Sequence, residues 1–241
     1  MVRVAVLSDI HANLVALDAV LGAVGAVDAV WHLGDVVGYG PDPDGVVSRL
    51  AGIGAIGVSG NHNLAALGGR EMDWFNPDAK AAMEWTRGRI SDATRAWLSA
   101  LPKTHRDGDL TLVHGSPRDP IWEYITSVPV ARANLAALES PFGLHGHTHL
   151  PMAWVDRDGR IDAIEPGPGS TFQLDGRPAL LNPGSIGQPR DGDPRASWLE
   201  IDTDAGLATW RRAAYDIEAV RTAMLDAGLP ARLAERLRVG L

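Results

Sequence analysis

The first quarter of the chain alternates short apolar runs with amphipathic stretches. Val2–Leu7 has the pattern of a buried strand, and Leu14–Val24 carries its apolar residues at helical spacing. A strand at Ala29–Leu33, a short helix at Pro43–Leu50 and a strand at Gly54–Val58 follow. This alternation of strands and helices predicts a sheet with covering helices.

Two more helices are predicted before residue 102. Asn76–Arg89 and Ser91–Leu101 each begin at a residue that caps helices well, and Pro77 follows the first cap. Both helices place Trp and Leu or Met on one face, which indicates core packing. The preceding pair Trp74 and Phe75 either packs in the core or lines a pocket for a nucleobase.

The second half of the chain is richer in strand patterns. The extended segments are Thr111–His114, Phe142–His145, Met152–Val155, Arg160–Glu165, Thr171–Leu174, Ala179–Leu181, Ser197–Ile201 and Leu207–Trp210. The pairs Asp158-Gly159 and Asp175-Gly176 lie between strand-like runs and predict hairpin turns.

The chain ends in a predicted helical pair, Asp216–Ala227 and Pro230–Val239, at about residues 216–239. No low-complexity linker, charge block or internal repeat interrupts the sequence. We therefore expect one α/β domain over residues 1–241, with two sheets packed between helices.

Composition excludes several kinds of chemistry. The chain has 241 residues and no cysteine, which rules out disulfides, thiolate metal ligands and cysteine nucleophiles. The amino-terminal apolar run is too short for a signal sequence, and no stretch approaches the roughly 18 apolar residues of a membrane span. These features predict a cytoplasmic protein without a membrane segment.

The net charge of the chain limits the kinds of molecule that it is expected to bind. The formal net charge is −8, with 30 acidic residues against 22 Lys plus Arg. A field of this sign disfavours general nucleic-acid binding. A phosphorylated substrate remains compatible with it, because two bound dications would reverse the local sign.

Residues of metal-ligand type follow five of the apolar runs. They are Asp9 and His11, Asp35, Asn61 and His62, His114, and His147 and His149. Side chains at strand ends project into one shared crevice, so distant segments can meet there. Carboxylates, an amide and imidazoles without sulfur suit Mn²⁺, Fe or Zn²⁺ better than Ca²⁺ or Mg²⁺ alone. The pattern predicts a two-metal hydrolase.

The order of these motifs resembles the calcineurin-like metallophosphoesterase family. DxH, GD, GNH, a lone His after a strand and GHTH follow one another between residue 4 and about residue 190. The stretches SDIHANLVALDAV, GDVVGYGPDP, HGSPRDP and NPGSIGQPRDGDPRAS resemble its small bacterial and archaeal phosphodiesterase-like branch. The resemblance implies a four-layer αββα sandwich of two mixed sheets packed face to face and flanked by helices.

The resemblance also implies a ligand set. One metal ion would be bound by Asp9, His11, Asp35 and His149, and a second by Asp35, Asn61, His114 and His147. Asp35 would bridge two divalent ions (Mn, Fe, Zn or Ni), and His62 would be a general acid or a substrate contact.

The reaction implied is hydrolysis of a phosphate ester by in-line attack of a hydroxide between the metals. A diester in a phosphorylated small molecule or a nucleotide is favoured on family resemblance. A phosphomonoesterase, a protein phosphatase and a non-catalytic binding module on the same fold stay open as alternatives.

One position departs from the family pattern. The third motif usually continues with Asp or Glu, whereas Asn63 follows His62 here. An amide cannot support a protonated imidazole electrostatically, so the strength of His62 as an acid is left open.

Other polar residues have weaker signals. Tyr39 and Arg118 are candidate substrate contacts, although turn requirements alone explain Tyr39 and a surface salt bridge explains Arg118 equally well. His32 and His105 are expected to be structural, and His145 is either structural or in contact with a metal ligand. NPGSIG at residues 182–187 is expected to form a structural turn near the site, with an anion nest as the alternative.

Overall fold

Two mixed sheets form the centre of the fold. This computed structural model describes residues 2–241, and for residues 70 and 71 the backbone alone. The strands of the first sheet are β1 (Arg3–Leu7), β2 (Ala29–His32), β3 (Ile56–Gly57), β9 (Thr171–Gln173), β11 (Ala196–Asp202) and β12 (Leu207–Ala213). Their order is β3-β2-β1-β11-β12-β9, with β1, β2 and β3 parallel and the other pairings antiparallel.

The second sheet has the same number of strands in the described chain. They are β4 (Thr104–Asp107), β5 (Leu110–Val113), β6 (Phe142–Leu144), β7 (Pro151–Arg157), β8 (Arg160–Ile164) and β10 (Ala179–Pro183). Their order is β4-β5-β6-β10-β7-β8, in which β5, β6 and β10 run parallel. β4, β7 and β8 pair in the antiparallel sense.

Helices cover both outer faces of the sheet pair. They are α1 (Leu14–Val24), α2 (Pro43–Gly52), α3 (Asn61–Ala66), α4 (Pro77–Arg87), α5 (Asp92–Ser99), α6 (Val128–Ala137), α7 (Ile217–Asp226) and α8 (Ala231–Glu235). α1, α2 and α5 contribute to the core on the first sheet, and α6 packs on the second. The predicted αββα sandwich is confirmed. In the part of the chain that the structure describes, no helix has the length and hydropathy of a membrane span.

Alternation along β1 shows how the sequence builds these layers. Val4 and Val6 point into the core between the two sheets, whereas Ala5 and Leu7 face the helices on the outer side. Both faces of β1 are therefore buried, which explains its continuous apolar run. Burial on both faces fixes the register of β1 with its neighbouring strands, because a slip by one residue would exchange the side chains that face the helices with those that face the other sheet.

Helix starts follow the local sequence. The Oδ1 atom of Asn76 accepts a hydrogen bond from the amide of Ala79 (2.9 Å), and Ser91 Oγ accepts one from Thr94 (3.2 Å). Both predicted caps are confirmed. The carboxy-terminal pair is also present, as α7, α8 and a 3-10 turn at Arg236–Arg238.

One predicted hairpin is wrong. Asp158-Gly159 joins the paired strands β7 and β8, as expected, with both residues at positive φ (55° and 87°). Asp175-Gly176 instead links β9 to β10, which belong to different sheets. The pair has the chemistry of a turn, but the partners of the flanking strands are set by distant segments.

Several elements were not predicted from the sequence. α3 begins at Asn61 itself, α6 covers residues 128–137, and a short 3-10 helix lies at Arg70–Trp74. β4 was not predicted either, and His105 lies in this strand opposite Leu112. α3 and the 3-10 helix are one to two turns long, too short to show a hydrophobic period.

The parallel strands bring the polar motifs to one end of the sandwich. β1, β2 and β3 run into the segments with Asp9, Asp35 and Asn61, and β5 and β6 run into those with His114 and His147. Because parallel strands end at the same edge, all five segments meet there. This edge holds the candidate site.

Candidate metal centre

Three donor atoms form a first cluster at this edge. Asp9 Oδ1 lies 3.3 Å from His149 Nε2 and 3.9 Å from His11 Nε2. The two imidazole nitrogens are 3.1 Å apart. All three side chains are buried. The group can hold one cation.

A second cluster lies beside the first. His114 Nε2 is 3.0 Å from both Asn61 Oδ1 and His147 Nδ1, and 3.3 Å from Asp35 Oδ2. Asp35 Oδ2 also lies 3.8 Å from His11 Nε2, which belongs to the first cluster. Asp35 thus stands between the two groups, where a bridging carboxylate would be required.

The spacing fits coordination to metal ions. Ligand atoms bonded at about 2.1 Å to one cation, at about 90–110° to each other, lie roughly 3.0–3.4 Å apart. Most distances within the clusters fall in or near this range. Asp9 Oδ1 is buried and has no hydrogen-bond partner among residues 2–241. A buried carboxylate oxygen facing two imidazoles needs such a partner, so the residues present fit a divalent metal.

Backbone carbonyls select the imidazole tautomers. The Nδ1 atoms of His11, His114 and His149 lie 3.3, 2.8 and 2.6 Å from the carbonyl oxygens of residues 37, 33 and 188. A carbonyl only accepts, so each Nδ1 carries the proton. In the neutral ring, the Nε2 lone pair then points into the clusters, as a metal ligand requires.

The carboxylates have opposite pKa shifts. Burial raises the pKa of Asp9 to about 6, and the positive charge of His114 offsets this only in part. Burial also acts to raise the pKa of Asp35, but His114, His62 and His11 outweigh it, so its pKa is lowered. Burial alone would lower the pKa of His114, yet the neighbouring Asp35 raises it to about 9.

Burial keeps the other imidazoles neutral. It lowers the pKa of His11, His147 and His149 well below the usual value. Neutral imidazole is the form that binds metal ions. Their protonation state therefore suits the ligand role.

The backbone is strained where the candidate ligands lie. Asp9, His11, Asp35, His147 and His149 have φ values of 52°, 48°, 49°, 67° and 62°. Residues other than glycine rarely adopt positive φ values, and each such residue costs on the order of 1–3 kcal/mol of conformational strain. The turns aim the side chains at a common point, and such strain is typical of functional sites.

Surrounding loops hold these turns in place. The amide of His11 donates to Asp35 O (2.9 Å), and the amide of His147 donates to Asp9 Oδ2 (3.1 Å). Asp35 Oδ1 accepts from the amide of His62 (2.9 Å). A Cβ at Gly60 would lie 2.1 Å from that same oxygen, so the close approach requires glycine.

The NPGSIG loop supports Asp9. The amides of Ile186 and Gly187 donate to the carbonyls of Ser8 and Asp9, at 3.0 and 2.9 Å. Because these amides are already used, the loop is a structural turn rather than an anion nest.

Asn182, at the start of that loop, supports the GHTH turn. Its Nδ2 atom donates to Gly146 O (2.8 Å) and Thr148 Oγ1 (3.1 Å) and lies 3.4 Å from His145 Nδ1. Burial lowers the pKa of His145 to about 4. His145 therefore lies behind the GHTH turn, outside the two donor clusters.

His62 lies beside the clusters in an aromatic setting. Its ring stacks on Phe75 (centroids 4.5 Å apart, 29°) and contacts Tyr39 (4.5 Å) and His11 (4.8 Å). Burial lowers the pKa of His62 to about 4. His62 Nδ1 is buried without a hydrogen-bond partner in the described chain, so any proton exchange with a substrate uses Nε2.

Asn63, the residue that departs from the family pattern, contacts the turn that holds Asp35. Its Oδ1 atom accepts a hydrogen bond from the amide of Val36 (2.9 Å), next to Asp35. Asn63 is fully buried and holds the Asp35 turn. The structure gives no support for a direct effect of Asn63 on the acidity of His62.

A central cavity of about 260 Å³ opens above the clusters. Its wall includes Tyr39, the predicted substrate contact, but not Arg118, whose guanidinium lies 3.8 Å from Glu123. Arg190 and Arg236 line the cavity instead. Sequence reasoning missed both, although Arg190 lies in the quoted stretch NPGSIGQPRDGDPRAS.

Two larger cavities flank the central one. The aromatic cleft, about 560 Å³, is lined by Trp74, Phe75, Trp122 and Tyr124. The C-terminal cavity, about 550 Å³, has Arg232, Arg236 and Leu241 in its wall. Each shares wall residues with the central cavity. The sequence had left open whether Trp74 and Phe75 pack in the core or line a pocket. It gave no signal for Trp122 and Tyr124.

Comparison with known proteins decides the family. The sequence profile of the calcineurin-like phosphoesterase superfamily domain matches residues 2–206. The chain belongs to this superfamily. The predicted resemblance is confirmed, and with it the general activity of the superfamily, the hydrolysis of phosphate esters. β12, α7 and α8 lie outside the matched residues.

Two relatives match almost the whole chain, and a third matches about half of it. A metallophosphoesterase from Sphaerobacter thermophilus, known from its crystal structure, is 41% identical with a TM-score of 0.92, over 100% of this chain and 99% of that one. An uncharacterised protein of Methanocaldococcus jannaschii is 33% identical over 98% of both chains. A symmetrical bis(5'-nucleosyl)-tetraphosphatase of Nitrosococcus oceani is 34% identical over 140 residues, which are 54% of this chain and 49% of that protein.

Proposed function

We propose that this superfamily member is a dinuclear phosphodiesterase that acts on a phosphorylated small molecule or a nucleotide. Asp9, His11, Asp35 and His149 would hold one divalent ion. The other would be held by Asp35 together with Asn61, His114 and His147. The observation that supports this most directly is the position of Asp35 Oδ2, which lies 3.8 Å from His11 Nε2 and 3.3 Å from His114 Nε2.

The chain's own residues divide the remaining work. When bound, divalent cations supply Lewis-acid polarisation of phosphate oxygens and a nucleophile from water near neutral pH. Arg190 and Arg236 would bind the non-reacting phosphate oxygens from the cavity wall. His62 Nε2 would donate a hydrogen bond to the departing oxygen, or a proton in the fraction of the protein in which the ring is protonated, because burial lowers its pKa to about 4. Tyr39 would exclude water on the side of His11.

The cavities support a diester over a monoester. A diester has two substituents on phosphorus, and the central cavity shares wall residues with two larger cavities. A monoester would leave one of them unused. The similarity to a symmetrical bis(5'-nucleosyl)-tetraphosphatase favours a second candidate, cleavage of a phosphoanhydride in a dinucleotide polyphosphate.

Activity on an activated diester tests the proposal. We expect the purified protein, loaded with Mn²⁺ or a similar ion, to hydrolyse bis-p-nitrophenyl phosphate faster than p-nitrophenyl phosphate. Excess chelator should abolish the activity, because the donor set contains no other source of nucleophile activation. Release of nitrophenolate, followed by absorbance, gives both rates.

Other outcomes would point elsewhere. No hydrolysis with Mn²⁺, Fe²⁺, Co²⁺, Ni²⁺ or Zn²⁺ would favour the non-catalytic binding module. Faster hydrolysis of the monoester would favour the phosphomonoesterase, and activity confined to diadenosine tetraphosphate would favour the second candidate. An Asp35→Asn preparation controls for contaminating phosphatases.

Removing Arg190 should weaken substrate binding. Arg190 lines the central cavity, and its Nε atom is buried without a partner among residues 2–241. A charge-assisted hydrogen bond to phosphate contributes about 1.5–3 kcal/mol, so Arg190→Ala should lower kcat/KM by roughly 10–150-fold. Arg118→Ala is the matched control, because its half-exposed side chain faces Glu123. A larger loss for Arg118→Ala would show that the wrong arginine was assigned.

A further inference from the structure

We propose that the aromatic cleft binds a nucleobase, which makes nucleotides the substrate class of the neighbouring site. This inference rests on the proposed function, because the phosphate attached to that nucleoside would lie at the metal centre. The cleft and the central cavity share five wall residues, among them Asn61, His62 and Tyr124. A ligand in the cleft therefore lies directly beside the donor clusters.

The ring arrangement suits stacking. The Trp74 and Trp122 ring centroids are 6.3 Å apart, with 43° between the planes. A base held between two rings needs a separation of about 7 Å, twice a stacking distance of about 3.5 Å. Trp74 is 80% exposed, so little packing holds its ring at the observed separation.

Trp122 is held more firmly than Trp74. Its ring meets Phe75 edge-on, with centroids 6.3 Å apart, and Phe75 itself stacks on His62. The backbone amide of Trp122 donates to Asp119 Oδ1 (3.1 Å). Trp122 thus provides the more firmly packed ring of the cleft, and Trp74 provides the exposed one.

Exposure of these rings indicates a ligand. An indole 80% exposed at a cavity mouth buries little apolar surface, and Tyr124, which also lines the cleft, is 48% exposed. Neighbouring exposed aromatic rings rimmed by polar groups mark binding surfaces. The cleft volume, about 560 Å³, is in the range of small-molecule sites.

The residues that line the two cavities differ in charge, which suits a base in the aromatic cleft and a phosphate in the central cavity. Within the described residues, those lining the aromatic cleft include no lysine or arginine, whereas Arg190 and Arg236 line the central cavity. The cleft therefore takes a neutral planar group rather than an anion. Asn76 Oδ1 and Asp119 Oδ1 in its wall already accept hydrogen bonds from backbone amides. Recognition by stacking should tolerate different bases and favour purines for their larger ring area.

Binding of two ligands that differ only in the base tests the inference. Calorimetric titration of the Mn²⁺-loaded protein with adenosine 5'-monophosphate and with ribose 5-phosphate gives the contribution of adenine. We expect the nucleotide to bind about 10–100-fold more tightly. Trp122→Ala should reduce this ratio to about 1–3-fold, and Trp122→Phe should keep most of it. Binding of ribose 5-phosphate should be unchanged in both variants.

Controls separate the cleft from other effects. Trp85→Ala removes a half-buried tryptophan on α4 whose ring lies under Arg89, outside the cleft, and should keep the full ratio. Trp74→Ala, at an exposed position, carries the test if Trp122→Ala does not fold. Equal affinities of the two ligands in the wild type would overturn the inference. An affinity ratio that stays at the wild-type value in both Trp122→Ala and Trp74→Ala would also overturn it.

The binding test is independent of the activity test. A base-dependent affinity that is lost in the cleft variants would support the cleft even if no ester is hydrolysed. Hydrolysis of bis-p-nitrophenyl phosphate without any preference for the nucleotide would support the proposed function and reject the cleft.

Discussion

Asp35→Asn should reduce the metal content from two ions to at most one per chain and abolish most of the activity. Its carboxylate stands between both donor clusters, and an amide offers neither the second oxygen ligand nor the negative charge. Loss of one ion removes several kcal/mol of transition-state stabilisation, so we expect kcat to fall by about 10³-fold or more. Elemental analysis after Mn²⁺ loading measures the metal content, and diester hydrolysis measures kcat.

The substitution is designed to keep the fold. Asp35 Oδ1 accepts a hydrogen bond from the amide of His62, and the amide oxygen of asparagine can accept it as well. Asp18→Asn is a matched control, because Asp18 is a half-exposed residue of α1 paired with Arg49. Two tightly bound ions in Asp35→Asn, or at most one in the wild type, would contradict the assignment of Asp35 as the bridge.

His62→Ala should slow hydrolysis in proportion to how poor the leaving group is. General-acid catalysis contributes roughly 10²–10⁴-fold when an alkoxide must leave. Nitrophenolate leaves easily and needs little of this help. We therefore expect a loss of about 10²-fold or more on alkyl or nucleoside diesters and a clearly smaller loss on bis-p-nitrophenyl phosphate. Steady-state kinetics on both ester types measures the difference.

Metal content decides between two roles for His62. Donor atoms of His62, His11 and Asp35 lie within 4.8 Å of one another, so the geometry also allows His62 to be a ligand. The general-acid role predicts that His62→Ala retains two ions per chain, whereas a ligand role predicts the loss of one. Equal losses on both ester types would make His62 an orienting residue. His105→Ala, on the distant edge strand β4, serves as the control.

The sequence by itself identified the family and predicted the donor set. Each motif follows an apolar run. A strand that is buried on both faces needs apolar side chains on both, so its sequence is a continuous apolar run. Parallel strands end at one edge of a sheet, so the motifs at their ends have to meet. Asp9, Asp35 and His114 were therefore predicted as neighbours, although they lie far apart in the chain, and the structure brings them together.

Caps were also predictable, because they depend on contacts within one helical turn. Asn76 and Ser91 each accept a hydrogen bond from the amide three residues further on. The turn at Asp175-Gly176 has a clear local signal too, but that signal does not say which strands will pair. β9 and β10 join different sheets because their partners, β12 and β6, come from distant parts of the chain.

The walls around the metal centre were decided by tertiary structure alone. Arg118 follows a candidate ligand by four residues yet faces Glu123. Arg190 lines the central cavity from a position three residues beyond the predicted NPGSIG turn. Trp122 meets Phe75 across the aromatic cleft from a segment without periodic pattern. The positions of strand ends follow from the regular backbone geometry of a sheet, which leaves a periodic pattern in the sequence. Side chains on loops are placed by long-range packing, which leaves no such pattern.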